Sequence, residues 1–324
     1  LYKAVEHSAR FLMMVRRFNI QFTNSAGMML PGFRPEIGDI FGQGRSSFGL
    51  SPGIGFAFGD VRRSYIDEAY EKGWLITDTE RDVNAAVMTS TKNLNIRANL
   101  EPITGLKIDL TALRNDTRNT EIQFMYEGMP EIMGGNFTMT TIALGSAFGG
   151  SGNAMNNYSS KAFDKLLANR EIIAQRIESK YSGLKYPDVG FIHDKGLGGM
   201  PYNPGTGNVN GVNLAAYTGK DPKKVGLTAF PSLKSMLPNW RVTYDGLIKI
   251  PAVKKYFKSL TLSHQYRCSY SVGAFTSFLN WVDAGQDGLG YIQSILNDNP
   301  TPSSPYSISS VSLTEAFSPL LGAD

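Results

Sequence analysis

The sequence predicts a mainly β fold of long antiparallel strands, each apolar on one face and polar on the other. Three observations carry this. Apolar residues recur at every second position in several stretches. The longest stretch exceeds the about 5–6 residues of an ordinary strand. No run of about 18 apolar residues is present, so no transmembrane helix is predicted. Period-two alternation signals a strand because successive side chains leave the backbone on opposite sides. A barrel strand conceals its hydrophobicity in this way, so the mean hydropathy of −0.19 suits a membrane-spanning barrel and a soluble β protein alike.

Taken in chain order, Phe18, Ile20 and Phe22 alternate with Asn19, Gln21 and Thr23, which predicts the first strand. A short helix is expected over Tyr65 to Lys72. A hairpin follows. Leu94, Ile96, Ala98 and Leu100 alternate with Asn95, Arg97, Asn99 and Glu101, and Leu106, Ile108, Leu110 and Ala112 alternate with Lys107, Asp109 and Thr111. A two-residue turn at Thr104-Gly105 would set Leu100 against Asp109 and join opposite faces. A three-residue loop, Ile103-Thr104-Gly105, sets Leu100 against Ile108, Ala98 against Leu110 and Glu101 against Lys107. The second register is preferred, since a slip of one residue turns every side chain to the wrong face. Gly105 can take the left-handed conformation such loops need.

Phe137, Met139, Thr141 and Ala143 give a weaker alternation against Thr138, Thr140 and Ile142. The segment 159–181 reads as a helix. Phe163, Leu166, Leu167, Arg170, Ile173, Ala174 and Ile177 follow 3.6-residue spacing, and Ser159 or Ser160 can cap it. Residues 188–222 are rich in Gly, Asn and Pro and read as a functional loop or lid. Trp240, Val242 and Tyr244 then alternate with Arg241, Thr243 and Asp245. From 259 to 273, Leu260, Leu262, His264, Tyr266, Cys268, Tyr270 and Val272 share one face. That strand is longer than the roughly 9–11 residues needed to cross a bilayer at a tilt. Near the end, Ile308, Ser310, Ser312 and Thr314 oppose Val311, Leu313 and Phe317. Eight to ten strands are expected. They fall into barrel strands with loop insertions over 1–150, a helix and long loop over 151–235, and further strands over 236–324. No repeat of fixed period suggests a propeller or solenoid.

The 32 Lys and Arg against 28 Asp and Glu leave a net charge of +4, too mild and too scattered for a nucleic-acid surface. The single cysteine, Cys268, excludes an internal disulfide framework and a multi-cysteine metal site. His7, His193 and His264 have no metal-ligand spacing. The chain has no G-x-S-x-G elbow, and its glycine-rich stretches (42–44, 145–152 and 196–207) match no phosphate-binding pattern. Asp283 and Asp287 lack the spacing and closing Glu of a calcium loop, so that stretch reads as an ordinary loop. No catalytic, cofactor-binding or metal site is therefore expected, and the protein is not read as an enzyme. His264, on an apolar strand face, reads as a packed or interfacial side chain.

The aromatic residues, 11% of the chain, fall largely on apolar strand faces. In a soluble sandwich they would fill a core; in a barrel they would meet lipid and form interface girdles. The strand lengths favour the barrel. On that reading Phe18, Phe22, Trp240, Tyr244, Leu262, Tyr266 and Tyr270 are candidate lipid-facing residues. Arg97, Asn99, Glu101, Lys107, Asp109, Arg241, Gln265 and Arg267 are candidate lumen-facing residues. The start at Leu1 and the stop at Asp324 both read as cuts in a longer chain.

Several motifs resemble one family in the same order along the chain. Leu30-Pro31-Gly32-Phe33-Arg34-Pro35 resembles the LPGF-x-P element of the SprA/Sov family, the outer-membrane translocon of the type IX secretion system of Bacteroidetes. Phe41-Gly42 follows. Leu50-Ser51-Pro52-Gly53 with Phe56-Ala57-Phe58-Gly59 is similar to its next element, although Ser51 and Ile54 depart from the pattern. Leu100-Glu101-Pro102 with Leu106 to Leu110, Gly135 to Thr140, and Phe163 to Arg176 resemble later family elements. So do Ala215 to Asp221, Pro238 to Leu247 and Phe317-Ser318-Pro319-Leu320-Leu321-Gly322. The resemblance covers almost the whole chain and implies an arc of a very large transmembrane antiparallel β-barrel in the bacterial outer membrane. It implies a passive conduit for folded cargo proteins bearing a C-terminal signal domain. Implied partners are the remaining strands of the barrel, a PorV-like shuttle protein, a periplasmic plug protein, the cargo and outer-membrane lipid, with no nucleic acid and no cofactor. The alternatives are a soluble β-rich binding module or adhesin and, less favoured, a smaller transport barrel.

Overall fold

The computed structural model describes residues 14–36, 38–40, 43–46, 49–77, 83–144, 153–156, 221–226, 230–286, 289–292 and 301–323, together with scattered positions of 160–179. The loop expected over 188–222 lies outside these residues except at its end. So do the glycine-rich stretches 145–152 and 196–207, His7, His193 and the motif over 215–220.

Strands dominate the described chain. β1 (Val15–Met29), β4 (Ala86–Ile103), β5 (Leu106–Ile122) and β8 (Leu262–Ser277) are long; β6 (Glu131–Thr140) and β7 (Asn239–Tyr244) are shorter. β12 (Tyr306–Ile308), β13 (Val311–Phe317) and β14 (Gly322–Ala323) complete a nine-stranded antiparallel sheet. Two small sheets stand apart. One pairs β2 (Gly44–Ser46) with β3 (Gly49–Ser51); the other joins β9 (Trp281–Gln286), β10 (Leu289–Ile292) and β11 (Thr301–Ser303). Asp283 thus lies in a strand, where the sequence predicts a loop.

The main sheet is built of collinear pieces. β5 pairs with β7 over its first half and with β6 over its second. β8 likewise pairs with β7 and then β6 on one side, and with β14, β13 and β12 in turn on the other. Strands from before 150 and from after 236 are therefore joined in the one main sheet. Its edges are β1 on one side and the β12–β13–β14 line on the other.

The hairpin holds the predicted register, with Leu100 opposite Ile108 and Ala98 opposite Leu110. It reaches that register by another route. Ile103 pairs with Leu106, so the loop is the two residues Thr104-Gly105, and a bulge between Leu100 and Ile103 restores the phase. Gly105 has φ 90°, and a Cβ there would lie 2.4 Å from Asp245 Oδ1. The bulge also changes one expected pair. The Glu101 carboxylate accepts from Arg16 Nε at 3.1 Å, while Lys107 lies 3.9 Å from Asp245.

The expected helix at 65–72 is α2 (Arg63–Glu71), preceded by the single turn α1 (Ile54–Ala57). Tyr65, Ile66 and Ala69 share its buried side, the 3.6-residue spacing of an amphipathic helix. With Trp74 and Leu75 they pack on Ala86, Ile122 and Phe124, at the end of the sheet far from the hairpin. Burial pushes the Tyr65 phenol up to about 12, with the nearby charges of Glu68 and Asp60 adding to the shift. Its hydroxyl donates to Pro52 O at 2.8 Å. Described positions from 161 to 179 are helical, and Ser160 O accepts from Asp164 N at 2.9 Å, as at a helix start. Ile173 from this segment joins Phe137, Met139, Tyr270, Val272 and Phe275 in a second core.

Candidate functional site, the two faces of the sheet

Residues directly opposite in an antiparallel pair lie on one face, so the registers trace each face across the sheet. One row of the first face runs Phe18, Ala98, Leu110, Trp240, Tyr266, Phe317. The next runs through Ile20, Ile96 and Ala112, and the following one through Phe22, Leu94, Arg114, Met139, Tyr270 and Leu313. The apolar residues of this face extend on β8 from Leu262 to Val272, about what a tilted strand needs to cross a bilayer.

This face is not uniform. Over β1 it is open, with Phe18, Ile20 and Phe22 exposed by 60%, 56% and 63%. Tyr244, Leu262 and Trp240 are half-buried. Tyr266 and Tyr270 are fully buried, although the alternation places them among the lipid-facing candidates. The chain itself covers them. Ala143 N donates to Tyr266 Oη at 2.8 Å, the Tyr266 hydroxyl donates to Glu315 at 2.5 Å, and Trp240 stacks on the ring at 4.3 Å between centroids. Tyr270 lies in the core closed by Ile173, Phe230 and Val225. Alternation gives the face of a residue; it is silent on what later folds over that face. Ile308 departs too. The break at Ser309-Ser310 turns it onto the face of Val311 and Leu313, where it pairs with Phe275.

On β4 and β5 the apolar face ends in charge. Lys92 opposes Asp116, Ser90 opposes Arg118, and Leu94 opposes Arg114. Arg118 grips Asp116 at 3.0 and 3.3 Å and lies over the Phe230 ring. Arg114 donates to Pro231 O at 2.6 Å and sits 4.6 Å over the Phe137 ring. These two arginines tie the segment around 230 to the sheet. The sequence signal for them was available, since Leu110, Ala112, Arg114, Asp116 and Arg118 share one parity.

The second face is mainly polar along the long strands, broken by the exposed Leu113 and, at the end far from the hairpin, by Met29 and Val87. Its candidates meet in register, because Arg17, Asn99, Asp109, Arg241 and Gln265 form one row across five strands. Asn99 Nδ2 donates to Asp109. Arg97 and Arg267 lie on the same face in the neighbouring row. Glu101, at the bulge, faces Arg16 at the rim of this row. His264 lies on the first face, half-buried, its Nδ1 2.6 Å from Leu320 O and its ring near Trp240 and Phe317.

A cleft of about 610 Å³ opens between α2 and β9, lined by Arg63, Asp67, Glu131, Trp281 and Tyr306 among others. Its cation is committed: Arg63 bonds Asp67 and lies 3.3 Å from Glu131. Among the described residues no group of three or more His, Cys, Asp or Glu is placed to hold a metal ion. Neither a scan against protein-family models nor a search of curated proteins finds a match to this chain.

Proposed function

We propose that this chain is a wall segment of an outer-membrane protein-conducting channel of the type IX class, through which folded cargo with a C-terminal signal domain leaves the cell. The observation that carries the reading is the division of one sheet into two unlike faces. Over 94–100 of β4 and 106–112 of β5, one face carries Leu94, Ile96, Ala98, Leu110 and Ala112 and the other Asn95, Arg97, Asn99, Lys107, Asp109 and Thr111. Bilayer and aqueous lumen ask for this pairing. The exposed Phe18, Ile20 and Phe22 of β1 support it, since three large apolar side chains open on one strand are costly in water. The two edges support an arc: among the described residues β1 pairs on one side only, and its other row of backbone groups is left for further strands to pair.

On this reading Phe18, Ile20, Phe22 and the half-buried Leu94 and Ile96 meet lipid. Arg97, Asn99, Asp109, Arg241, Gln265 and Arg267 line the lumen. Shuttle, plug and cargo proteins are the partners, and no cofactor takes part. The cores beneath α2 and the 160–179 segment favour a second reading, a β-rich soluble binding module, because they bury the first face as a soluble protein does.

One strand separates the two. In the full-length protein reconstituted in lipid vesicles, Phe22→Lys is expected to lower folding stability by about 2–4 kcal/mol if Phe22 lies near the bilayer midplane. Gln21→Lys, one residue away on the other face, is expected to be nearly neutral. Equal responses at the two positions would sink the membrane reading.

A further inference from the structure

We propose that the hairpin end of the polar face is a cationic belt that docks a carboxylate-rich polypeptide surface. Two adjacent rows form it. The first carries Arg17, Asn99, Asp109, Arg241 and Gln265 across β1, β4, β5, β7 and β8. The second carries Asn19, Arg97, Thr111 and Asn239, with Arg267 at its β8 end. All four arginines are exposed. The two rows hold one carboxylate, Asp109, which is engaged by the Asn99 amide, and Glu101 at their rim is taken by Arg16. None of the four takes part in the described ion pairs. The next cation along, Lys107, has its own partner in Asp245.

The dimensions suit a macromolecule. Strands lie about 4.8 Å apart, so Arg17 and Arg241, three strands apart, present guanidinium stems about 14 Å from one another; the two rows are about 7 Å apart. A small anion would meet one arginine. A carboxylate-bearing surface would meet several, each through the planar fork that matches a carboxylate. The charge is also confined. Farther from the hairpin the same face is neutral, with Gln21, Thr23, Asn93, Asn115 and Ser271, until Glu121. A general solubilising surface would balance both signs along its length, whereas an excess of one sign at one level, here four arginines against Asp109 with Glu101 and Asp245 already paired, attracts a partner of the other.

The chemistry of the face selects among acidic partners. It carries no aromatic ring on β1, β4, β5, β7 or β8, so single-stranded nucleic acid finds no stacking platform. Beside the arginines it offers a single exposed apolar side chain, Leu113, rather than a strip for lipid chains. An acidic protein surface needs neither. The inference extends the reading of this face as a lumen wall, but its test needs no pore.

The full-length protein in detergent micelles is titrated into a fluorescent poly-L-glutamate peptide and followed by anisotropy at low and at physiological salt. Binding is expected and should weaken with salt. R97Q/R241Q is expected to lower affinity by about tenfold or more, the scale of one lost charge-assisted contact. T111E removes no native charge and places a carboxylate in the second row; it should weaken binding as well, which guards against a folding defect in the double variant. K92Q, on the opposite face, should bind as the parent does. No binding by the parent, equal binding by the parent and both belt variants, or equally tight binding of oligothymidylate would each overturn the proposal. Failure of the membrane reading is read separately, by equal responses of Phe22→Lys and Gln21→Lys in vesicles.

Discussion

Phe22 and Phe137 lie on the same face of the same sheet, yet one is 63% exposed and the other 0%. Both follow the period-two rule and both stand among apolar neighbours. The difference comes from segments distant in sequence. Phe137 is roofed by Phe230, Ile173 and Val225, which arrive after long excursions of the chain. Nothing described arrives over Phe22. One face is therefore of two kinds. Its β8 side is a protein interior, and its β1 side is open among the described residues.

The widest gap between the two regions should come from truncation. Phe137→Ala is expected to cost about 3–5 kcal/mol, because the cavity lies in a closed core and also removes the surface under Arg114. Phe22→Ala should cost well under half of that for the protein in detergent, since most of its ring stays exposed in the fold. Urea unfolding of both variants measures the gap. Similar losses would mean that Phe22 is covered by protein and that the two regions are alike.

The roof itself can be loosened next. Gly135 sits where β5, β6 and β8 meet, and a Cβ there would lie 2.0 Å from Thr117 O and 3.1 Å from the Phe275 ring. Gly135→Ala is expected to destabilise by about 1–3 kcal/mol through forced displacement. It should raise hydrogen exchange in β6 and the facing part of β8 and leave β1 unchanged. Exchange rising equally over β1 would show that the two regions unfold as one unit.

The sequence revealed strands better than roofs. Alternation marks a strand because parity is a local property, and that is why the Leu100–Ile108 register, the face of β8 and the helix at 63–71 could be read directly. The membership of Arg97, Asn99, Asp109, Arg241 and Gln265 in one face was equally legible. Three things were not. The burial of Tyr266 and Tyr270 depends on Ala143, Ile173 and Phe230, whose approach no periodicity encodes. The bulge after Leu100 leaves a turn of two residues with the register of three, and either count fits the same string. The alignment of the arginines in two neighbouring rows needs all the strand pairings at once.

The smallest effect expected is on the α2 side, and it depends on pH. The Tyr65 phenol is pushed up to about 12 from 10.0, chiefly by burial, in the core that covers the far end of β4 and β5. Folded protein thus holds this proton more tightly than unfolded protein does. The contribution is fully present below pH 10 and is lost as the pH rises from 10 through 12, because the unfolded chain gives up the proton first. A stability profile in urea should therefore fall across that window. Tyr65→Phe should flatten the part of the fall due to this residue. It should also lower stability at neutral pH by about 1 kcal/mol, through loss of the bond to Pro52 O. The open β1 region has no buried phenol, so exchange in β1 should not track this titration, whereas exchange in α2 should. A β1 response with the same midpoint would show that the roofed core at the far end of the sheet supports the open region as well.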